Sequence, residues 1–212
     1  MLGQSITRNG ILLGLFAVFT TLLIAGTFLQ TRDRIALEQR KAEEKALLEI
    51  VPRTRHDNSM LDDTVTIAAD APGLGLTEPR QAYIARQGGR AVAAIIPVTA
   101  PDGYSGTIDM IVGVNVDGSV AGVRILSHKE TPGLGDKVDI KKSPWVLDFD
   151  GRSLTNPTPD GWAVKKDRGV FDQFTGATIT PRAVVAATRR ALEYANNEQA
   201  RLYAPLATSG DS

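Results

Sequence analysis

The residues best suited to chemistry lie between residues 172 and 181 (DQFTGATITP), where a loop turns into the last predicted helix. Thr180 has an N-cap side chain and Pro181 suits a first helical position, so the spacing predicts a helix with its body over residues 183–194. The first N–H groups of a helix lack partners inside it, and the helix dipole makes that end partly positive. A phosphate held by this loop would lie in an anion site, although the same residues also suit a plain helix cap.

Two upstream loops and one tryptophan are further candidates for a binding site. Residues 130–137 (ETPGLGDK) contain two glycines, which let backbone N–H groups approach a ligand without interference from Cβ. The loop lacks the dinucleotide-binding fingerprint, because Val138 stands in place of the third glycine. In residues 103–106 Tyr104 can stack on a ring, and Trp162 with Lys165 and Lys166 can face a planar or anionic ligand. Taken alone, each stretch is more typical of an ordinary turn or of the core than of a binding site.

Composition excludes several classes of function. The 212 residues contain no cysteine, which rules out cysteine-ligated iron–sulfur clusters, a CxxCH haem attachment, a thiol nucleophile and disulfides. The only histidines, His56 and His128, show no metal-ligand spacing, so no metal site is predicted. Lys and Arg number 24, as do Asp and Glu, so no net charge favours nucleic acid. A redox role would therefore need an organic cofactor.

The N-terminal quarter of the sequence predicts a membrane anchor. After a short tail (residues 1–9), residues 10–29 carry no charge and match the thickness of a bilayer, which predicts one transmembrane helix. The alternative is a cleaved signal peptide, but its apolar core should be shorter, and no clear A-x-A site follows. Residues 30–52 are strong helix formers with mixed charges and predict a helical stalk.

The rest of the chain predicts an α+β domain over residues 53–197. Short alternating or apolar runs predict strands at residues 64–68, 82–86, 92–99, 107–116 and 120–127, joined in part by glycine-containing hairpin turns. Residues 132–140 favour a short helix or loop, and the runs 145–149 and 162–166 precede the last helix. Strands first and a helix last indicate helices covering a mostly antiparallel sheet. Residues 198–212 predict a flexible tail.

The motifs resemble those of a known family. Thr175-Gly-Ala-Thr178, with Asp172 before it and Thr180 after it, resembles the flavinylation motif of the FMN-binding domain family. The stretches at residues 130–135 and 103–106 also match that family. The anchor, the stalk and residues 100–106, 162–167 and 171–185 make the chain similar, over nearly its full length, to the G subunits of the Rnf (Rsx) electron-transport complex.

The resemblance implies a covalently bound flavin. FMN would be attached through a phosphoester to the hydroxyl of Thr178, moved from FAD by a separate magnesium-dependent flavin transferase. An unaided threonine hydroxyl is a poor nucleophile, which agrees with the need for such an enzyme. The implied recognition residues for the transferase are Asp172, Gly176, Thr178 and Thr180. The implied cofactor-binding residues are Thr175, Gly176, Ala177, Glu130, Thr131, Gly133, Leu134, Gly135, Tyr104, Trp162 and Lys166.

The resemblance also implies partners and a location. The chain would relay electrons within a complex that links redox exchange, between ferredoxin and NAD in many members, to ion movement across the membrane. Its partners would be the other membrane and peripheral subunits, the lipid bilayer and, during maturation, the transferase, and no complete reaction is expected from this chain alone. Basic residues are commoner after the span than before it, which by itself favours a cytoplasmic domain. The resemblance instead implies the periplasmic side of a bacterial inner membrane.

Three alternatives stay open at this point. The chain can be the related covalent-FMN subunit of a sodium-pumping NADH:quinone oxidoreductase, or a stand-alone periplasmic electron carrier. It can also be a non-redox assembly module of the membrane, in which the glycine-containing loops are only turns.

Overall fold

The computed structural model describes residues 2–205, except for the side chains of residues 2–7, 29, 32, 33, 35, 36, 39 and 42. Contacts divide the chain into two compact units, one ending at Glu43 and the other beginning at Glu44. Helix α1 (Leu2–Ile50) joins most of the predicted tail, the predicted span and the predicted stalk in one element. It ends two residues before Pro52, because the residue before a proline disfavours helical geometry. Met1 lies outside the described residues.

The N-terminal unit contains one stretch that can cross a membrane. Within α1, Arg8–Phe28 is long and apolar enough for a span, judged by length and composition. Its large apolar side chains, among them Leu13, Phe16 and Leu22, are exposed within this unit. Side chains of this kind require an apolar solvent or a partner to cover them.

The second unit is built on a five-stranded antiparallel sheet. Its strands are paired in chain order, β1 next to β2 and so on to β5, and they confirm the predicted fold class. They match the predicted strands to within two residues at each end. The connection between β2 and β3 needs only Gly88 and Gly89, which both adopt positive φ. The strands are β1 (Thr64–Ile67), β2 (Arg80–Gln87), β3 (Arg90–Ala100), β4 (Ile108–Asn115) and β5 (Val120–Ser127).

Each face of the sheet packs against a helix. Successive side chains of a strand point to opposite faces of the sheet. The long apolar run of β3 therefore contributes side chains to the core on each face. Ile96 and Val98 belong to the main core, which includes one face of α2 (Ile179–Asn197). Ala93 and Ile95 belong to a smaller core that includes the last turn of α1.

The last turn of α1 sits in a notch made by two glycines. Gly113 of β4 and Gly122 of β5 are register partners in the sheet. A Cβ atom on Gly113 would lie 2.3 Å from Cγ2 of Ile50, and one on Gly122 would lie 3.4 Å from it. Arg124, near Gly122 on the same strand, also bonds to Glu49, with 3.1 Å between its Nε and a carboxylate oxygen. The glycines thus let α1 approach the sheet closely at this point.

The connection from β5 to α2 is irregular and held by aromatic packing. It contains short 3₁₀ helices at Gly135–Val138, Pro144–Phe149, Pro159–Gly161 and Lys165–Asp167. Five aromatic side chains pack on one another in it, with ring centroids 4.6 to 6.3 Å apart. These are Trp145, Phe149, Trp162, Phe171 and Phe174. Edge-on and offset ring pairs of this kind fix loops that lack a hydrogen-bonded ladder.

The C-terminal segment corrects one prediction. Residues 198–205 do not form a flexible tail, because α3 (Gln199–Leu202) places Leu202 in the main core. The hydroxyl of Tyr203 donates to the Val114 carbonyl at 3.1 Å, and Arg86 donates to the carbonyl of Ala204 at 2.8 Å. Residues 206–212, the rest of the predicted tail, lie outside the described residues.

Candidate functional site

The start of α2 differs from the predicted cap. The N-cap position is Thr178, not Thr180, and its side chain makes no capping hydrogen bond. Thr180 and Pro181 lie inside the first turn instead of at the cap and the first helical position. The prediction was wrong because the Thr180 hydroxyl has a buried partner elsewhere in the fold. The first N–H groups of α2 are thus left without a side-chain acceptor.

The loop before α2 is anchored by aromatic residues and ends in a tight turn. Phe174 packs edge-on against Trp145, whose indole N–H donates to the carbonyl of Asp172 at 2.8 Å. The N–H of Ala177 then bonds back to the Phe174 carbonyl at 3.1 Å, around Gly176 with φ of 82°. Because both ends of this turn are fixed, Thr178 has a defined position at the start of the helix.

Glu130 connects three segments of the site. Its side chain is only 4% exposed. One carboxylate oxygen accepts the N–H of Ser105 at 2.9 Å, and the other accepts the hydroxyl of Thr180 in a short hydrogen bond. Cβ atoms on Gly103 and Gly135 would lie 3.0 and 2.9 Å from its two oxygens. The two glycines therefore leave the space that this carboxylate occupies.

These three segments enclose a cavity of about 330 Å³, open to solvent on one side. The loop of residues 131–135 forms one wall and turns around the carbonyl of Thr131, which accepts the N–H groups of three later residues. The apolar side chains at the mouth are well exposed, with Tyr104 at 68%. The lining consists of Tyr104, Glu130, Thr131, Leu134, Gly135, Gly176, Ala177, Thr178, Ile179 and Thr180. A cavity of this size suits a small organic ligand.

The structure gathers most, but not all, of the residues named from the sequence. Of the named cofactor-binding residues, Thr175 and Gly133 are exposed and stand outside the lining. Trp162 is buried in the aromatic cluster, and its indole N–H donates to the Ser153 carbonyl at 3.0 Å. Lys166 is exposed and bonds through its backbone N–H to Gln173. Trp162 and Lys166 therefore do not form part of the cavity wall.

Two contributors to the site were missed from the sequence. Ile179, 45% exposed, forms part of the cavity lining, and the backbone N–H of Ser105 holds Glu130. Ser105 lies within a glycine-flanked turn that was singled out only for its tyrosine. Ile179 carried no such signal, because its exposure is apparent only in the folded chain.

Ion pairs surround the loop on its outer side. Lys165 pairs with Asp172 at 2.6 Å, which keeps both charges at the surface. Arg182 of α2 makes a two-pronged bond to Asp167, and this hydrogen bonding lowers the pKa of the Asp167 carboxyl below its usual value. Among the described residues, no group of three or more acidic or histidine side chains could hold a metal ion.

The comparisons with known proteins agree with this arrangement. Residues 103–193 match the family model described as the FMN-binding domain, and residues 1–50 match that described as the RnfG N-terminal region. Three similar proteins are each named as the G subunit of an ion-translocating oxidoreductase complex. The relative from Pseudomonas aeruginosa is 52% identical over 207 residues, covering 98% of this chain and 96% of its own. That from Pseudoalteromonas atlantica is 50% identical (93% and 92% covered), and that from Vibrio cholerae is 45% identical (94% of both). The chain therefore belongs to the family of G subunits of the Rnf-type ion-translocating oxidoreductase complex.

Proposed function

We propose that this chain is a membrane-anchored flavoprotein subunit that relays electrons through FMN joined by a phosphoester to Thr178. The observation that supports this proposal most directly is the position of the Thr178 side chain. It lies in the lining of the cavity, half-buried, and makes no capping hydrogen bond, so its hydroxyl is available for a bond to phosphorus. The uncapped N–H groups of α2 beside it favour the negative charge of a phosphate.

The neighbouring threonines are poorer candidates for the attachment. Thr175 is exposed and lies outside the cavity lining. Thr180 is fully buried, and its hydroxyl is engaged by Glu130. Of the three hydroxyls in the TGATIT stretch, only that of Thr178 is both accessible and within the cavity wall.

The cavity also suits the ring of a flavin. Tyr104, Leu134 and Ile179 present exposed apolar surface in the lining, which a planar aromatic ring can cover. Gly135 and Gly176 keep the wall free of side chains close to the attachment point. The flavin supplies the electron chemistry when bound, and the protein supplies its position and electrostatic surroundings.

Attachment requires an enzyme from outside the chain. The Thr178 oxygen must lose its proton and attack the phosphorus of FAD that bears the FMN moiety, so that AMP leaves. Glu130 is the only ionisable carboxylate in the cavity lining, and both of its oxygens are already hydrogen-bonded. A free base is thus missing among the described residues of the wall, in keeping with a flavin transferase that recognises the stretch from Asp172 to Thr180.

The proposed setting is the bacterial inner membrane, with Arg8–Phe28 as the span and the flavin domain on the periplasmic side. The proposed partners are the other members of the complex and the lipid bilayer. Because the chain has no cysteine, single cysteines can report its orientation. In intact cells, an impermeant thiol reagent should label Lys142→Cys but not Ser5→Cys, which precedes the span. The reverse pattern would place the flavin domain in the cytoplasm.

The covalent flavin can be tested on a denaturing gel. The full chain, expressed with a flavin transferase, should give a band with flavin fluorescence. Thr178→Val should abolish the fluorescence, whereas the control variant Thr77→Val, at an exposed threonine outside the stretch from Asp172 to Thr180, should retain it. A fluorescent Thr178→Val band would contradict the proposal.

A further inference from the structure

Glu130 is the one charged side chain among the ten residues that line the cavity, all of which belong to the described part of the chain. Its two hydrogen-bond donors, the Ser105 N–H and the Thr180 hydroxyl, are both neutral. Within the described residues no Lys, Arg or His side chain forms an ion pair with it. The cavity wall therefore contains a carboxylate that forms no ion pair within the described part of the chain.

The position of this charge is fixed. Both carboxylate oxygens are hydrogen-bonded, one to the Ser105 N–H and the other to the Thr180 hydroxyl. With 4% of its surface exposed, Glu130 is poorly screened by water. A charge in such surroundings acts on its neighbours more strongly than one at the surface.

We propose that Glu130 lowers the reduction potential of the flavin held in this cavity, by keeping a fixed negative charge in the wall. This inference rests on the function proposed above. An electron that enters the cavity brings negative charge close to the carboxylate, and the repulsion disfavours the reduced state. The positive end of α2 has the opposite effect, but there the phosphate on Thr178 adds a negative charge of its own.

The competing explanation is that Glu130 only holds the loops together. The variant Glu130→Gln distinguishes the electrostatic role from the structural one, because glutamine has nearly the same shape as glutamate but carries no charge. Its amide oxygen can still accept the Ser105 N–H, and its amide group can still bond to the Thr180 hydroxyl. The substitution therefore removes the charge and keeps the connections, so that a change in potential reports the charge.

The test is a redox titration, followed by visible absorbance, of the purified full chain carrying its covalent flavin. Glu130→Gln should shift the midpoint potential to a more positive value than that of the wild type. The matched control is Glu193→Gln, which removes one carboxylate from the same helix that carries Thr180, roughly 20 Å along it from Thr178. Glu193 pairs with Arg189 at the surface, and its loss should leave the potential unchanged.

Equal potentials in the wild type and Glu130→Gln would overturn the inference. If Glu130→Gln retains no flavin, a charge can instead be introduced at Thr131, an exposed residue of the cavity lining. Thr131→Lys should then raise the midpoint potential of the flavin, and Thr131→Glu should lower it. Unchanged midpoint potentials in both Thr131 variants would show that charge in the cavity wall does not act on the flavin. That result would also overturn the inference. A wild-type chain without flavin would instead refute the proposed function, so the two failures are distinguishable.

Discussion

The carboxylate of Glu130 accepts the buried hydroxyl of Thr180, a residue fifty positions further along the chain. This bond connects the first turn of α2 to the loop that directly follows β5. It also leaves Thr178, not Thr180, at the helix cap. The contact thus determines which threonine hydroxyl of the loop faces the cavity freely.

The strength of this connection can be measured by unfolding in urea. Thr180→Val should cost about 1.5–3 kcal/mol, because one hydrogen bond to a buried carboxylate is lost, while Glu130 keeps its bond to Ser105. Glu130→Ala should cost about 1–3 kcal/mol more, because the buried Thr180 hydroxyl and the Ser105 N–H both lose their acceptor. The double variant should be less destabilised than the sum of the single ones, since both remove the same bond. Strict additivity would show that the two side chains do not interact.

The notch under the end of α1 provides a second prediction. Gly113→Ala should destabilise the protein by about 1–3 kcal/mol, because its Cβ would lie 2.3 Å from Ile50. Ile50→Ala should cost about 2–5 kcal/mol through the cavity that it leaves. In the double variant the new methyl group occupies part of that cavity, so its loss of stability should fall below the sum. The loss of stability of all three variants can be measured from their denaturant midpoints. A loss in the double variant equal to or greater than the sum of the two single losses would contradict the close packing of Ile50 on Gly113.

The C-terminal anchor predicts a dependence of stability on alkaline pH. Burial, and to a lesser extent Asp117, raises the pKa of Tyr203 above its ordinary value of about 10. The unfolded chain therefore releases this proton before the folded chain does. The resulting stabilisation is fully present below pH 10 and is lost as the pH rises further.

The free energy of unfolding of the wild type should accordingly fall as the pH rises above about 10. In Tyr203→Phe the decline should be shallower, although stability near neutral pH is already lower by about 1 kcal/mol through the lost bond to Val114. Burial also raises the pKa of Tyr194, so part of the decline should persist in the variant. Identical slopes in the two proteins would show that Tyr203 is not buried as described.

The sheet could be predicted from the sequence, because its signals are local. Alternating apolar residues and short glycine turns identify all five strands, and the charge-free run before Leu29 identifies the apolar part of α1. The position of α2 along the chain was also predicted, from the pattern of small and apolar residues after Pro181. These features depend on residues close together in the chain.

The details of the site could not be read in this way. Thr180 has the side chain of a cap, but Glu130, which lies far away in the sequence, outcompetes the local bond. Trp162 was considered for ring contact because it precedes two lysines, whereas Ser153 and the aromatic cluster keep it in the core. The buried C-terminal segment was missed because a few apolar residues, chiefly Leu202 and Tyr203, anchor a polar stretch. Each case depends on a partner that only the fold brings near.

Mass spectrometry of the natively expressed chain tests the central claim most directly. The intact mass should exceed that of the sequence by one FMN less one water, and the peptide spanning residues 172–182 should carry the added mass on Thr178. An unmodified chain, or the flavin on Thr175 or Thr180, would contradict the account.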